Sequence, residues 1–220
     1  MAKDSLNFDW DQMNQWVLYM IAGILLGARI GYVLIYDFAH YMQAPAQIFA
    51  VWKGGLSYHG AAIGAVLSNY IFAKRYTLSL LRLLDLLGMA ASVGVIFGRI
   101  GNFINAELLG RVTEFPISVV FPHISPDPRH PSQLYEAGTE GLLLAIILWG
   151  IYKYYRPKPG VIFSVYLVGY GLFRGGIEFL RTPDAQLGFV FGPFSMGQLL
   201  CGIMIVLGTA LAYYLERRPS

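Results

Sequence analysis

Apolar residues fall along this chain in long unbroken runs that do not alternate with polar ones. A helix needs about 20 mostly apolar residues to cross a bilayer core. Six segments qualify: 15–36, 55–73, 80–104, 137–155, 160–180 and 196–215. Strands are not expected there, because backbone groups in lipid must be satisfied within a helix or a closed barrel. The joints carry charge or chain breakers: Lys53-Gly54-Gly55, Lys74-Arg75, the proline-rich 116–131 stretch, Arg156-Pro157-Lys158-Pro159-Gly160 and Thr182-Pro183-Asp184. The pattern predicts an all-α fold, a polytopic membrane helical bundle of about six transmembrane helices, forming a single integral membrane domain over residues 1–220.

Composition points the same way. Of 220 residues, 56% are hydrophobic and 13% charged, where a soluble domain carries about a quarter charged residues. Mean hydropathy is +0.52. The net charge of +3 says less than where the charges stand. With six spans the termini share a side, which holds Lys3, Lys74, Arg75, Arg82, Lys153, Arg156, Lys158, Arg217 and Arg218, against Lys53, Arg111, Arg129 and Arg181 opposite. Basic loops stay in the cytoplasm, so both termini are expected there. The 37–53 segment and the 105–136 and 181–195 loops should then face outward. Asp4, Asp9 and Asp11 precede the first run and Arg29 interrupts it, which predicts a span and no cleavable signal peptide. The single Cys201, in LLCGIMIVLG, excludes an internal disulfide and a cysteine metal cluster, and is expected to be a packing or lipid-facing residue.

A charge at mid-bilayer costs about 2.5–3.5 kcal/mol even on a lenient scale, so an embedded ion is a functional candidate. The third span ends in FGRIGNFINAELLGR, where Arg99 and Asn102 share a helix face and Glu107 and Gly110 follow. Gly98 and Gly101 leave bare backbone that another chain or a lipid headgroup can approach. Two readings stand: an arginine neutralised by a glutamate to lock helices, or a guanidinium gripping two oxygens of a phosphate diester. The fifth span holds GYGLFRGGIEFLR, with Tyr170, Arg174 and Glu178 four residues apart on one face. Here the bland reading is an intrahelical salt bridge. In GGLSYHGAAIG, His59 opens the second span, and its ordinary pKa allows proton transfer near neutrality.

The loop RHPSQLYE brings Arg129, His130, Ser132, Gln133, Tyr135 and Glu136 ahead of the fourth span, with Ser132 expected as a helix N-cap. Arg29 reads equally as structural, and Tyr32 and Tyr36 as a packing or interfacial stripe. There is no HExxH, GxSxG, Walker loop or CxxC, which lowers zinc proteolysis, serine hydrolysis and nucleotide-driven transport.

The run from Gly98 to Gly110, GRIGNFINAELLG, resembles the signature of the prolipoprotein diacylglyceryl transferase family. GGLSYHGAAIG, RHPSQLYE and GYGLFRGGIEFLRTPDAQLG resemble further blocks of that family in the same order, and the likeness covers roughly residues 15–215. The resemblance implies transfer of a diacylglyceryl group from phosphatidylglycerol to the lipobox cysteine of a preprolipoprotein. It implies catalytic roles for His59, Arg99 and Arg174: the arginines grip the lipid phosphate and His59 is general base to the thiol. Asn102, Glu107, Gly110, Tyr170 and Glu178, with both arginines, would shape the headgroup pocket. No metal, cofactor or nucleic acid is implied. The expected partners are phosphatidylglycerol, the lipobox peptide and membrane lipids. The expected location is the bacterial cytoplasmic (inner) membrane, with the active site towards its outer side. The family pattern has a further membrane helix, with a tyrosine near the catalytic cavity, ahead of the first segment; here the polar residues 1–14 stand there, and the 111–128 loop is short.

Two other classes share these features. A transporter or channel for an anionic solute would use embedded arginines, and Arg29-Ile30-Gly31 echoes Arg99-Ile100-Gly101, although both copies run outward and so make no inverted repeat. A non-catalytic membrane protein that binds a lipid headgroup is the other. Neither forms a covalent product.

Overall fold

The computed structural model describes residues 8–182, 189–191 and 194–217, with side chains at 8–57, 60–182 and 197–217. The chain divides into two compact units, one ending at Leu84 and the other starting at Asp85.

In the first unit, α1 (Trp10–Ile35) starts five residues before the apolar run predicted. The cause is local. The Asp9 carboxylate accepts from the Gln12 backbone N–H at 2.7 Å, and the Gln12 side chain returns to the Asp9 N–H, which closes a capping box around a polar first turn. A short α2 (Phe38–Gln43) and two 3-10 turns, Pro45–Phe49 and Val51–Lys53, lead to α3 (Tyr58–Tyr76). Tyr32 and Tyr36 stack at 5.5 Å, as a packing pair should.

The α1–α3 pair is built on small residues. A Cβ added at Gly27 would lie 2.8 Å from the Gly64 Cα, and one at Gly31 would lie 2.8 Å from the Gly60 Cα. The backbones touch, so these glycines serve helix packing of the kind lipid favours. The Cβ position on Gly60, beside His59, is likewise filled by α1. Between these helices the Trp16 indole donates to the Asn69 side-chain oxygen at 3.0 Å, and Asn69 is wholly buried.

In the second unit, α4 (Leu80–Ile104) is followed by a small antiparallel hairpin, β1 (Val119–Phe121) and β2 (Ser125–Arg129), inside the loop where no element was expected. Then come α5 (Ser132–Glu136), a π-helical stretch (Ala137–Leu143) and α6 (Leu144–Tyr155). These three run as one rod, so the fourth span starts at Ser132, five residues before its predicted limit. Ser132 is not an N-cap: Pro131 holds that position with no side-chain cap, and the Ser132 hydroxyl donates to the Leu108 carbonyl instead. The proline ring already fixes the entry, which frees the hydroxyl for the neighbouring loop.

Helix α7 (Val161–Ile177) ends in a 3-10 turn (Glu178–Leu180). Backbone pairing of β3 (Phe189–Phe191) with β4 (Phe194–Ser195) precedes α8 (Met196–Arg217). Leu144, Leu148, Ile162, Tyr166 and Tyr170 form the core between α6 and α7. The start of α7 is capped from another helix: Asp85 on α4 accepts from the backbone N–H of Gly160 at 2.8 Å and of Phe163 at 2.9 Å. Cys201 is buried, with its carbonyl against Gly171, which makes it a packing residue.

Among the described residues, five helical segments are long and apolar enough to cross a membrane: Trp10–Ile35, Leu80–Ile104, Ser132–Tyr155, Val161–Leu180 and Gly197–Arg217. The sixth predicted segment is helical too, as the 19-residue α3, about 28 Å long at 1.5 Å per residue. Leu18, Leu26, Ile63, Phe97, Ile146 and Leu207 are each more than half exposed, a surface suited to lipid and not to water. The chain is a multi-pass membrane protein built as a helical bundle.

Candidate active site

The second unit gathers its embedded charges around one carboxylate that the sequence reading named only as a loop residue. Glu136, the last residue of α5, is 1% exposed. Its Oε2 lies 2.6 Å from Nε of Arg99, on α4. Its Oε1 lies 3.9 Å from an Nη of Arg174, on α7, and 3.6 Å from an Nη of Arg181, just past that helix. Arg174 is also ion-paired with Glu178, four residues on. A carboxylate taken out of water is tolerable only with such partners. Glu136 therefore ties α4, α5 and the α7 end into one electrostatic unit.

Arg99 reaches Glu136 through Nε alone. Its two terminal amino groups have no hydrogen-bond partner among the described residues, and its side chain keeps 16% exposure. Beyond the adjoining backbone of α4 itself, no described atom lies within 4 Å of where a Cβ would stand on Gly98 or Gly101. The planar fork of Arg99 thus keeps donors of the kind that bidentate contact with a phosphate uses.

The glycines decide how closely these elements pack. A Cβ on Gly141, in the π-helical stretch, would fall 2.6 Å from the Ile96 side chain and 3.2 Å from its backbone nitrogen. That contact keeps the rod carrying Glu136 against α4. At the start of α8, a Cβ on Gly197 would be 3.0 Å from the Glu178 carboxylate, so the missing side chain makes room for the partner of Arg174.

The tail of the signature forms a tied loop. Ala106 and Leu108 both hold left-handed backbone, φ 54°, which is uncommon outside glycine. The ties compensate: the Glu107 N–H donates to the Asn102 carbonyl at 2.8 Å, and the Gln133 side chain donates to the Glu107 carbonyl. On the other flank the Arg111 N–H donates to the Leu180 carbonyl at 2.9 Å. Gly110 bridges to Arg181, and its carbonyl accepts from Arg129 at 3.2 Å and from the Thr182 hydroxyl at 3.1 Å. A side chain at Gly110 would run into the His130 carbonyl.

Of the residues singled out from sequence, Arg99, Arg174 and Glu178 come together through Glu136. Asn102 and Glu107 make a separate pair, Nδ2 to Oε2 at 2.8 Å. Gly110 is a backbone junction, and Tyr170 is buried in the α6–α7 core one helical turn before Arg174. The backbone of His59 lies in the first turn of α3, but its side chain lies outside the described residues. Sequence reasoning missed Glu136 as the hub, Arg181 as a member and Glu140, a wholly buried carboxyl. Glu140 stands inside the predicted 137–155 span, so the embedded-charge rule that found Arg99 applied to it as well.

Comparison with known proteins bears on this arrangement. The chain matches the family described as prolipoprotein diacylglyceryl transferase over residues 1–214. It is 45% identical over 208 residues to the phosphatidylglycerol–prolipoprotein diacylglyceryl transferase of Geobacter sulfurreducens, covering 94% of this chain and 80% of that protein. The protein of that name from Pseudomonas aeruginosa is 43% identical over 211 residues, covering 96% and 79%. The one from Legionella pneumophila is 42% identical over 207 residues, covering 92% and 79%. With a match over nearly its whole length, and its embedded arginines gathered at one buried carboxylate, this chain belongs to the prolipoprotein diacylglyceryl transferase family.

Proposed function

We propose that this protein transfers the diacylglyceryl group of phosphatidylglycerol to the lipobox cysteine of a preprolipoprotein, with the Arg99–Arg174–Glu136 cluster as its headgroup site. The observation that carries the reading is the cluster itself, within which Arg99 keeps its terminal amino groups uncommitted. In the reaction the cysteine sulfur attacks the glyceryl carbon bonded to the phosphate oxygen. A carbon–sulfur bond forms, that carbon–oxygen bond breaks, and glycerol phosphate leaves with the electron pair. The departing group is an anion, and preorganised guanidinium groups stabilise its developing charge without reorganising. Gly98 and Gly101 let the phosphate reach the α4 backbone, while Glu178 and Glu136 hold the Arg174 fork in place. Asn102, Glu107, Gly110 and Tyr170 complete the pocket wall.

The thiol has an ordinary pKa of about 8.5 and needs a base to react as thiolate near neutrality. His59 fills that role in this reading, taking the proton as sulfur attacks. The protein sits in the bacterial cytoplasmic membrane with both termini inside and the site towards the outer face, where an exported substrate arrives.

Purified protein incubated with phosphatidylglycerol and a lipobox peptide should add the mass of one diacylglyceryl group to the peptide cysteine. Arg99→Lys keeps the charge but loses the fork, and should lower turnover by more than about tenfold. Phosphatidylglycerol binding with no mass gain would leave a headgroup-binding protein and end the transferase reading. General-base help is worth about 10²–10⁴-fold, so His59→Gln should lose that much and recover as the pH approaches the thiol pKa. Equal impairment across that range would remove His59 as the base.

A further inference from the structure

Helices α6, α7 and α8 line a groove of about 280 Å³ within the membrane-spanning part of the second unit. That is close to the lower end of small-molecule sites, about 300 Å³. Leu144 and Ile147 form one wall, and Val161, Val165 and Phe173 the other. Helix α8 runs against α7 in the opposite direction, with Ile205 at Gly171 and Gly208 at Ser164, so Ala212 closes the groove near the α7 start. Ser164 is the polar residue in the wall, and its hydroxyl donates to the Gly160 carbonyl at 2.8 Å, which leaves the groove surface apolar. The sequence explains the opening. Gly169 lets α7 touch α6, since a Cβ there would lie 2.7 Å from the Leu144 side chain. One and two turns nearer the α7 start, the short β-branched Val165 and Val161 leave the seam unfilled, and their stiff side chains give it fixed walls.

The groove is continuous with the charge cluster at one end. Along the rod, Glu136, Glu140, Leu144 and Ile147 follow at three- or four-residue spacing, and the first three are at most 1% exposed, so they share its inward face. On α7, Phe173 is the residue before Arg174, whose guanidinium meets Glu136. From Phe173 back to Val161 the helix runs about 18 Å at 1.5 Å per residue. One leaflet of the hydrocarbon core is about 15 Å deep. A cationic cluster leading into an apolar groove one leaflet long complements a single phospholipid, anionic head and tail together. We propose that the groove holds one acyl chain of the phosphatidylglycerol whose phosphate the arginines grip, and that its far end, between Val161 and Ala212, sets the preferred chain length. This rests on the arginine cluster being the headgroup site. Bulk lipid is as apolar as the groove, so the chain gains packing and a fixed position there, not transfer energy. The groove therefore helps to fix where the glyceryl carbon stands, and it discriminates between chain lengths several-fold, not by orders of magnitude.

The test is photocrosslinking of the purified full chain, in detergent, with phosphatidylglycerol that carries a diazirine near the methyl end of one acyl chain. Peptide mapping should place the label on α7 between Val161 and Val168 or on α8 around Ala212. Unlabelled phosphatidylglycerol should compete, and phosphatidylcholine with the same chains should not. Label spread over exposed apolar positions such as Phe97 and Leu207, or equal competition by phosphatidylcholine, means bulk lipid contact only and overturns the proposal. In Arg99→Lys the competed label should weaken; an unchanged label detaches the groove from the arginines and overturns the link between head and tail. A second arm compares transfer from dipalmitoyl and dioctanoyl phosphatidylglycerol. Val165→Trp fills the groove partway along, so the ratio of long-chain to short-chain transfer should fall at least about fivefold, the low end of an overpacking cost. Should that variant not fold, Ala212→Phe, at an exposed position, blocks the far end alone and should lower the same ratio. A ratio equal to the parent's in a folded variant overturns the length-setting role. The two levels come apart in the parent: competed label in the groove with no diacylglyceryl group on the peptide supports the groove and ends the transferase reading, whereas a modified peptide with scattered label does the reverse.

Discussion

Arg29 in the first unit and Arg99 in the second are both set in long apolar helices, and they acquire opposite kinds of partner. Arg29 is 5% exposed and spends its whole fork on main-chain carbonyls. Nε donates to Ile48 at 2.7 Å, one Nη to Gly54 and Gly55 at 2.7 and 2.9 Å, and the other to Gln47 and Ala50. The Tyr41 ring lies 5.0 Å away as a cation–π neighbour. Five N–H donors thus meet five carbonyls of the 47–55 segment, and nothing remains for a ligand. Arg99, Arg174 and Arg181 instead share one carboxylate. Carbonyl-saturated arginine is scaffold, whereas Arg99, which meets Glu136 through Nε alone, keeps its terminal amino groups for another anion. What distinguishes a structural embedded charge from a functional one is how its donors are used, since the depth in the sequence is similar.

The largest expected effect breaks the second region at its hub. Glu136→Gln takes from Arg99, Arg174 and Arg181 the carboxylate they share, and breaking a buried pair costs about 3–5 kcal/mol. Thermal unfolding in detergent should fall markedly, and transfer by the protein that remains folded should drop at least about 10²-fold. Normal stability and turnover would mean that Glu136 does not organise the cluster.

Next comes a paired substitution that sets the two regions against each other. Arg29→Lys deprives several part-buried carbonyls of donors, at up to about 1–3 kcal/mol each, so stability should fall while lipid affinity of the folded fraction holds. Arg99→Lys should show the reverse, near-parent unfolding with lipid affinity reduced by more than about tenfold. Unfolding curves and lipid titrations on both proteins decide it, and parallel behaviour of the two variants would erase the distinction.

Smaller changes sharpen it. Gly141→Ala places a methyl against Ile96, an overpacking cost of about 1–3 kcal/mol, and pushes the Glu136 rod from α4. Stability and transfer should both decline, the latter several-fold. Gly98→Ala meets open space, so helix stability should rise by about 0.5–1 kcal/mol. Transfer should still fall a few-fold if the phosphate needs bare backbone there. Unchanged transfer in a stabilised Gly98→Ala protein would move the headgroup off that face.

Much of this was legible from the chain alone. Unalternating apolar runs gave the membrane bundle, and every predicted span is helical at its centre. Their ends shifted where polar chemistry overrode apolarity: the Asp9–Gln12 capping box carried α1 outward, and Pro131 started the fourth span five residues early. Arg99, Arg174 and Glu178 were found because charge in lipid is costly wherever it stands, so its presence in a run is informative without a fold. Glu136 was not singled out because it sits at the edge of its run, in a segment that reads as loop.

What the residues determined by themselves is therefore the class of solvent around the protein and the places where an ion must be neutralised. Both depend on transfer from water to lipid, a property of each side chain and its immediate neighbours. Only the tertiary structure decided which partner does the neutralising. For Arg29 that partner is a set of main-chain carbonyls in the 47–55 turns, and for Arg99 it is a carboxylate 37 positions along the chain. Nothing in local spacing carries such pairings, because they form only when packed helices, admitted by glycines such as Gly141, bring distant positions within hydrogen-bond reach.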